Sequence, residues 1–211
     1  MPQAQSKIIT VGVTGASGAI FAQKTLSLLV EDPRVARVHL VVTETGQRLF
    51  AEELGIISGD LKKLPGRILG RNSKKIETLP NKDVGASIAS GSYAVDAMIV
   101  IPCTVGELAS IACGTCDDLV ARSADVMLKE GRKLILCVRD TPFSRIHLEN
   151  MLRAQAAGAV IMPVMPSFYD NPKTINDLVT QFVCRVLAQA GLPQDKMFRW
   201  TGSAGGKKAE S

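Results

Sequence analysis

Aromatic residues make up only 4% of the 211 residues, with a single tryptophan and two tyrosines, and histidine occurs twice. Stacking surfaces for bases are therefore scarce, and no Lys/Arg block stands beside the few rings, so nucleic acid is not an expected partner. Long apolar runs are missing too. No stretch approaches the roughly 20 residues that span a bilayer, and the opening MPQAQSKIIT has no apolar h-region, so neither membrane insertion nor secretion is expected. Cysteines number five, an odd count, at 103, 113, 116, 137 and 184 in apolar surroundings. That usage fits the reduced thiols of a cytoplasmic protein better than a disulfide framework. Cys113-Gly-Thr-Cys116 lacks a second ligand pair at matching spacing, so no metal site is expected and the four residues read as a tight helix–turn region.

What the chain does have is alternation. Apolar, β-branched runs at 7–15, 35–43, 96–104, 133–140 and 159–166 read as strands; helical spacing of apolar residues fills 19–32, 44–55, 105–130, 144–158 and 174–191. The segment 56–85 is irregular, basic and rich in Gly, Pro and Asn. Strand runs without polar alternation, separated by helices, predict a parallel sheet covered on both faces, hence a doubly wound α/β fold. The length suits one domain, expected over 1–201, with GSAGGKKAES (202–211) as a disordered tail. The net charge of +5 is modest, and a few Arg and Lys side chains facing phosphate would account for it.

In such a sheet, ligands sit beyond the carboxyl ends of the strands, and several of those ends are polar here. VGVTGASGAI places Gly12, Gly15 and Gly18 in the turn from first strand to first helix, with Ser17 as a hydroxyl and candidate cap. The spacing is G-x-x-G-x-x-G rather than the dinucleotide G-x-G-x-x-G. Tyr169-x-x-x-Lys173 imitates a short-chain dehydrogenase pair, but Pro172 disfavours the helical turn that pair requires. IPCTVGE (101–107) offers Thr104 and the backbone of 105–107. Ser90-Gly91-Ser92 precedes a strand and leaves room for a flat ring. ILCVRDTP (135–142) ends a buried strand in Arg139-Asp140, an arginine and a carboxylate where a ligand would lie. Arg122 and Lys129 lie seven residues apart on one helix face, a spacing a solvated stripe would share.

TGASGA (14–19), ASGS (89–92), IPCT (101–104), ARSADVMLKEGRKLILCVRDTPFSRIHLENM (121–151) and FYDNPKTINDLV (168–179) together resemble the UbiX-type flavin prenyltransferases, over about residues 8–200. The resemblance implies a single Rossmann-like, mostly parallel flavoprotein fold. It implies a metal-independent transferase joining a dimethylallyl group, from dimethylallyl phosphate, to N5 and C6 of reduced FMN. The product, prenylated FMN, would serve a UbiD-type decarboxylase. It further implies a homo-oligomer, a dodecamer of trimers, with active sites between subunits. By the same resemblance Gly15, Ala16, Ser17, Thr43, Ser90, Gly91, Thr104, Val105, Gly106, Glu107, Arg122 and Arg139 would bind FMN. Lys129, Arg139, Tyr169 and Arg185 would hold the prenyl phosphate. Ser17, Glu53, Lys129, Asp140 and Trp200 would be catalytic, Trp200 by offering a π face to an allylic cation. Glu52 is one residue out of register with Glu53.

Three positions depart from that family's pattern. Asp140 replaces a glutamate, Glu107 a small hydroxyl residue, and Asp118 an asparagine. Two other readings remain. A flavin-dependent cysteine decarboxylase would carry an asparagine in P-A-S-A-N-T, where this chain has P-C-T-V-G-E with Gly106 at that place. A flavin-storing or delivering subunit would have no use for the second phosphate clamp of Lys129, Tyr169 and Arg185.

Overall fold

The computed structural model describes residues 6–199. Trp200 and the expected tail lie outside the described residues. Six strands, β1 (Lys7–Val13), β2 (Val35–Val42), β3 (Ile76–Pro80), β4 (Ala97–Cys103), β5 (Lys133–Val138) and β6 (Val160–Ile161), form one sheet in the order β3-β2-β1-β4-β5-β6. Every pairing is parallel. The run AMIVIPC of β4 is buried along its whole length, as a central strand covered on both faces must be. The order reverses between β1 and β4, and this opens a crevice at their carboxyl ends.

Helices α1 (Ala19–Glu31), α2 (Glu44–Leu54), α3 (Leu64–Leu69) and α7 (Ile175–Gln189) cover one face; α4 (Val105–Cys113), α5 (Leu119–Lys129) and α6 (Arg145–Ala156) cover the other. On the first face, Leu26 and Leu29 of α1 are fully buried against Val183 and Leu187 of α7, and Phe21 meets Phe182 edge-on at 5.3 Å. Each such leucine contributes about 1.5–3 kcal/mol by leaving water. Among the described residues no helix is long and apolar enough to cross a membrane.

Two expectations need correction. The segment 56–85 is not irregular throughout: it contains α3 and the edge strand β3. That strand is five residues long, half-exposed and ended by Pro80, too short and too wet to leave a clear apolar signature. Conversely, AVIMPVMP has only Val160 and Ile161 in strand conformation. Pro163 interrupts the ladder, which persists only as Met162 N–H to Leu136 O and Val164 N–H to Val138 O.

Asp32 ends α1 as a buried carboxylate gripped by Arg34, with Nε on Oδ1 at 2.9 Å and Nη2 on Oδ2 at 2.6 Å. Gln194 Nε2 donates to the same carboxylate at 3.0 Å, tying the chain after α7 to the α1–β2 turn. The Arg34 hydrogen bonds outweigh burial and hold Asp32 down at about 2. A depressed carboxyl contributes stability above its unfolded value and loses it as pH falls towards its folded one. Asp32→Asn is therefore expected to cost roughly 2 kcal/mol at neutral pH. The difference from wild type should disappear in urea titrations as pH drops from 3.8 to about 2.

Candidate active site

The first group of expected site residues gathers at the carboxyl edge of the sheet around the β1–β4 crevice. Thr14 closes the crevice floor: its hydroxyl donates to Pro102 O at 2.9 Å and accepts from Thr104 N–H at 2.9 Å. This residue was missed as a functional candidate, although the quoted TGASGA contains it. Nothing in the sequence pairs it with a strand 88 residues away. Gly15 follows, and its glycine identity has a packing cause. A Cβ there would stand 2.5 Å from Thr45 Cβ in the first turn of α2. Thr43 is buried, caps α2 by accepting from Gly46 N–H at 3.0 Å, and lies 3.0 Å from the Thr45 hydroxyl.

The N-terminus of α1 holds a carboxylate. Glu53, near the end of α2, accepts from Gly18 N–H at 3.0 Å and from Ala19 N–H at 2.7 Å, and the Ser17 hydroxyl also donates to it. Burial pushes this carboxyl up, but the bonds from Ser17, Ala19 and Gly18 and the charge of Arg139 outweigh it and hold it below its ordinary value. An anion at a helix N-terminus is what the free N–H groups favour. The helix end expected to meet a phosphate is thus already filled by a side chain of this chain. Glu52 points elsewhere, onto Arg48 at 2.9 Å on the surface. That settles which of the two glutamates faces the crevice.

Beyond β4, Thr104 caps α4 through Glu107 N–H at 3.1 Å. Val105 and Gly106 are the first two residues of that helix, whose N–H groups have no intrahelical acceptor. A Cβ at Gly106 would find nothing closer than Thr104 Oγ1 at 4.0 Å, so the approach to this turn is open. Beyond β5, Arg139 N–H donates to Cys103 O at 3.1 Å, fixing the arginine beside β4. Its Nε is buried without a hydrogen-bond partner among the described residues. Asp140 Oδ1 accepts from Thr141 N–H at 2.8 Å.

Lys129, Ser90 and Gly91 are not brought to this edge. Helix α5 returns to the opposite edge, so Lys129 lies just before β5 and Arg139 just after it, roughly 20 Å apart at the rise of a strand. Lys129 pairs there with Glu130 at 2.8 Å. Gly91 packs against both side chains with no room for a Cβ, and Arg132 donates to Gly91 O at 2.6 Å. Ser90 pairs with Ser92 at 2.9 Å. Arg122, on the face of α5 towards this loop, donates to Ala89 O at 3.2 Å and pairs with Asp125 at 2.9 Å. The expectation that Lys129 and Arg139 act on one ligand is therefore not met within a single protomer. A third group stands at α7 and the loop before it: Tyr169 of the loop and Arg185 of the helix, both exposed, line a cavity of about 390 Å³ with Ser167, Gln181 and Phe198. Gln181 is held by Lys196 O at 2.9 Å and by Phe198 N–H at 2.8 Å. These three lining residues were not singled out; Gln181 and Phe198 meet across 17 residues through folding.

The orphaned Arg139 Nε, the two free N–H groups of α4 and the open space at Gly106 fit a phosphate-bearing flavin. The all-parallel sheet and its polar switch point are those of α/β proteins, in which a ligand sits at such a crevice. A family model described as Flavoprotein matches residues 2–187. The flavin prenyltransferase UbiX of Alkalihalophilus pseudofirmus is 41% identical over 200 residues, which cover 95% of this chain and 99% of that protein. Among solved structures, AnUbiX (PadA1) in complex with FMN and dimethylallyl pyrophosphate is 37% identical with a TM-score of 0.81, covering 94% of this chain and 99% of that one. A dodecameric FMN-dependent UbiX-like decarboxylase from Escherichia coli O157:H7 is 40% identical with a TM-score of 0.82, covering 92% and 100%. The chain belongs to the UbiX-type flavin prenyltransferases of the Flavoprotein family.

Proposed function

We propose that the protein transfers the dimethylallyl group of dimethylallyl phosphate to N5 and C6 of reduced FMN. The allylic C–O bond breaks as the N5–C bond forms, and phosphate leaves with the proton from N5; the C–C bond at C6 then forms as the alkene carbon takes a proton and C6 gives up its own. The observation that carries this reading is the carboxyl edge of β5. A half-buried arginine, its Nε buried and without a hydrogen-bond partner among the described residues, stands there with its charge acting on Glu53. Arg139 would neutralise phosphate charge, as a planar guanidinium does well. Glu53 and Asp140 are the carboxylates available to move protons, and Ser17 orients Glu53 through its hydroxyl.

The site would be completed between subunits. Supporting this are the separation of Lys129, Ser90 and Gly91 from Arg139 within the protomer and a set of large apolar side chains left on the surface. Ile146, Leu148 and Leu152 of α6 are 54–67% exposed, and Met165, Phe168 and Ile175 are 67–71% exposed. Large apolar side chains left on the surface in such number mark an interface, here with further copies of the same chain. Tyr169 and Arg185 would hold the leaving phosphate, and a UbiD-type decarboxylase would receive the product.

The test is anaerobic incubation of purified protein with reduced FMN and dimethylallyl monophosphate, then the diphosphate, followed by mass spectrometry of the extracted flavin. Addition of one isoprenyl unit is the expected result. Flavin bound tightly yet recovered unchanged with both donors would overturn the transferase reading and favour a delivery subunit.

A further inference from the structure

Thr104-Val105-Gly106-Glu107 has the S/T-x-x-E pattern of a capping box, in which the glutamate side chain returns to the N-cap backbone N–H. Only half of this box is built. The Thr104 hydroxyl accepts from Glu107 N–H at 3.1 Å, but Thr104 N–H is taken by the Thr14 hydroxyl at 2.9 Å. The boxes of α6 and α7 close on both sides. Glu107 is thus displaced from its own helix cap by the bond that closes the β1–β4 crevice. Its Oε1 is buried and has no hydrogen-bond partner among the described residues.

Among the described residues no cation acts on this carboxyl. Asp118 acts on it from the start of α5, the buried Cys103 thiol couples to it from β4, and no charged side chain of α6 acts on it. Burial first, and Asp118 second, push it up to about 7. Val105 and Gly106 precede it in the first turn of α4, with N–H groups that have no intrahelical acceptor, and the approach over Gly106 is open. A carboxyl with one buried, unpartnered oxygen therefore shares the first turn of α4 with backbone donors that have no intrahelical acceptor.

We propose that Glu107 binds the phosphate of FMN through a shared proton, an O–H···O bond from carboxyl to phosphate oxygen, in place of the small hydroxyl usual at this position of the family's flavin turn. This rests on the assignment of residues 104–107 to FMN binding. Two ionised oxyanions in hydrogen-bond contact repel one another strongly, so carboxyl and phosphate together retain one proton. Near pH 6 that proton is already present on one of them. Above the range in which both groups ionise, it must be taken from solvent when FMN binds, and affinity falls by up to about tenfold per pH unit.

The measurement is calorimetric binding of FMN to the full-length protein between about pH 6 and about pH 8.5, in two buffers of different ionisation enthalpy, with riboflavin as the phosphate-free probe. The wild type should take up about one proton per FMN at the alkaline end and almost none at the acid end. Glu107→Gln, which keeps a donor but cannot titrate, should still bind FMN while losing most of the uptake and slope. Glu107→Ser serves as the second variant, restoring a small hydroxyl. Riboflavin binding should be independent of pH in all three proteins. Equal proton uptake in wild type and Glu107→Gln, or the same slope with riboflavin, would overturn the inference and leave the flavin assignment standing. Failure of the wild type to bind FMN at any pH would remove that assignment, and the inference with it.

Discussion

Co-assembly of an Arg139→Ala chain with a Lys129→Ala chain in equal amounts is expected to recover about a quarter of wild-type turnover. Each variant alone should lose about 10²–10³-fold, the usual cost of deleting one group that stabilises developing charge. The two side chains sit before and after the same strand, β5, pointing into opposite edges of the sheet. No rotamer change brings them together, because a lysine side chain spans far less than the roughly 20 Å between them. If both serve one reaction, they do so from different copies of the chain. A site built from Arg139 of one copy and Lys129 of another is intact only when both donors are unmutated at that position, which random assembly gives in about one site of four. Turnover no higher than the sum of the separate variants, in mixtures shown to exchange subunits, would mean that each protomer carries its site alone and that Lys129 belongs to the surface stripe with Glu130.

The legible part of the fold was the part that is apolar and local. The runs of β1, β2, β4 and β5 are buried almost end to end, so their patterns had only one physical reading, and Gly55 and Gly191 mark helix ends in left-handed conformation. β3 escaped because an edge strand needs little apolar content when one side faces water. In the site, the strand-end motifs were visible as short polar clusters following apolar runs. What they bond to was not. Glu53 reaches α1 across 34 residues and Thr14 reaches Pro102 across 88, and no periodicity encodes either. The half-built capping box shows the same limit from the other side. Its local pattern is complete, and it fails only because a distant threonine reaches Thr104 first. The separation of Lys129 from Arg139 follows from the parallel topology itself, since a helix between two parallel strands must run back to the starting edge.

Asp140→Asn is expected to lower turnover by at least about 10²-fold while leaving FMN affinity nearly unchanged. Asp140→Glu should keep turnover at or above that of wild type. Asp140 Oδ1 accepts from Thr141 N–H at 2.8 Å, which ties the side chain to its own loop beside Arg139. An asparagine can make that same bond with its carbonyl oxygen, so loop shape and the position of Arg139 are preserved. What asparagine removes is the ability to take or release a proton at the second oxygen. A fall in kcat at unchanged FMN affinity therefore reports chemistry, whereas a purely structural role would leave kcat nearly intact. The glutamate variant tests reach. Asp140 is one methylene shorter than the family's usual residue, and a displacement of about an ångström at a reacting group can cost as much as 10²-fold. A gain with glutamate would show that this chain works at less than its geometric optimum, while a loss would show that the loop around Asp140 has adjusted to the shorter side chain. Asparagine turning over at the wild-type rate would end the case for Asp140 as a proton carrier and leave Glu53 as the carboxylate of the crevice.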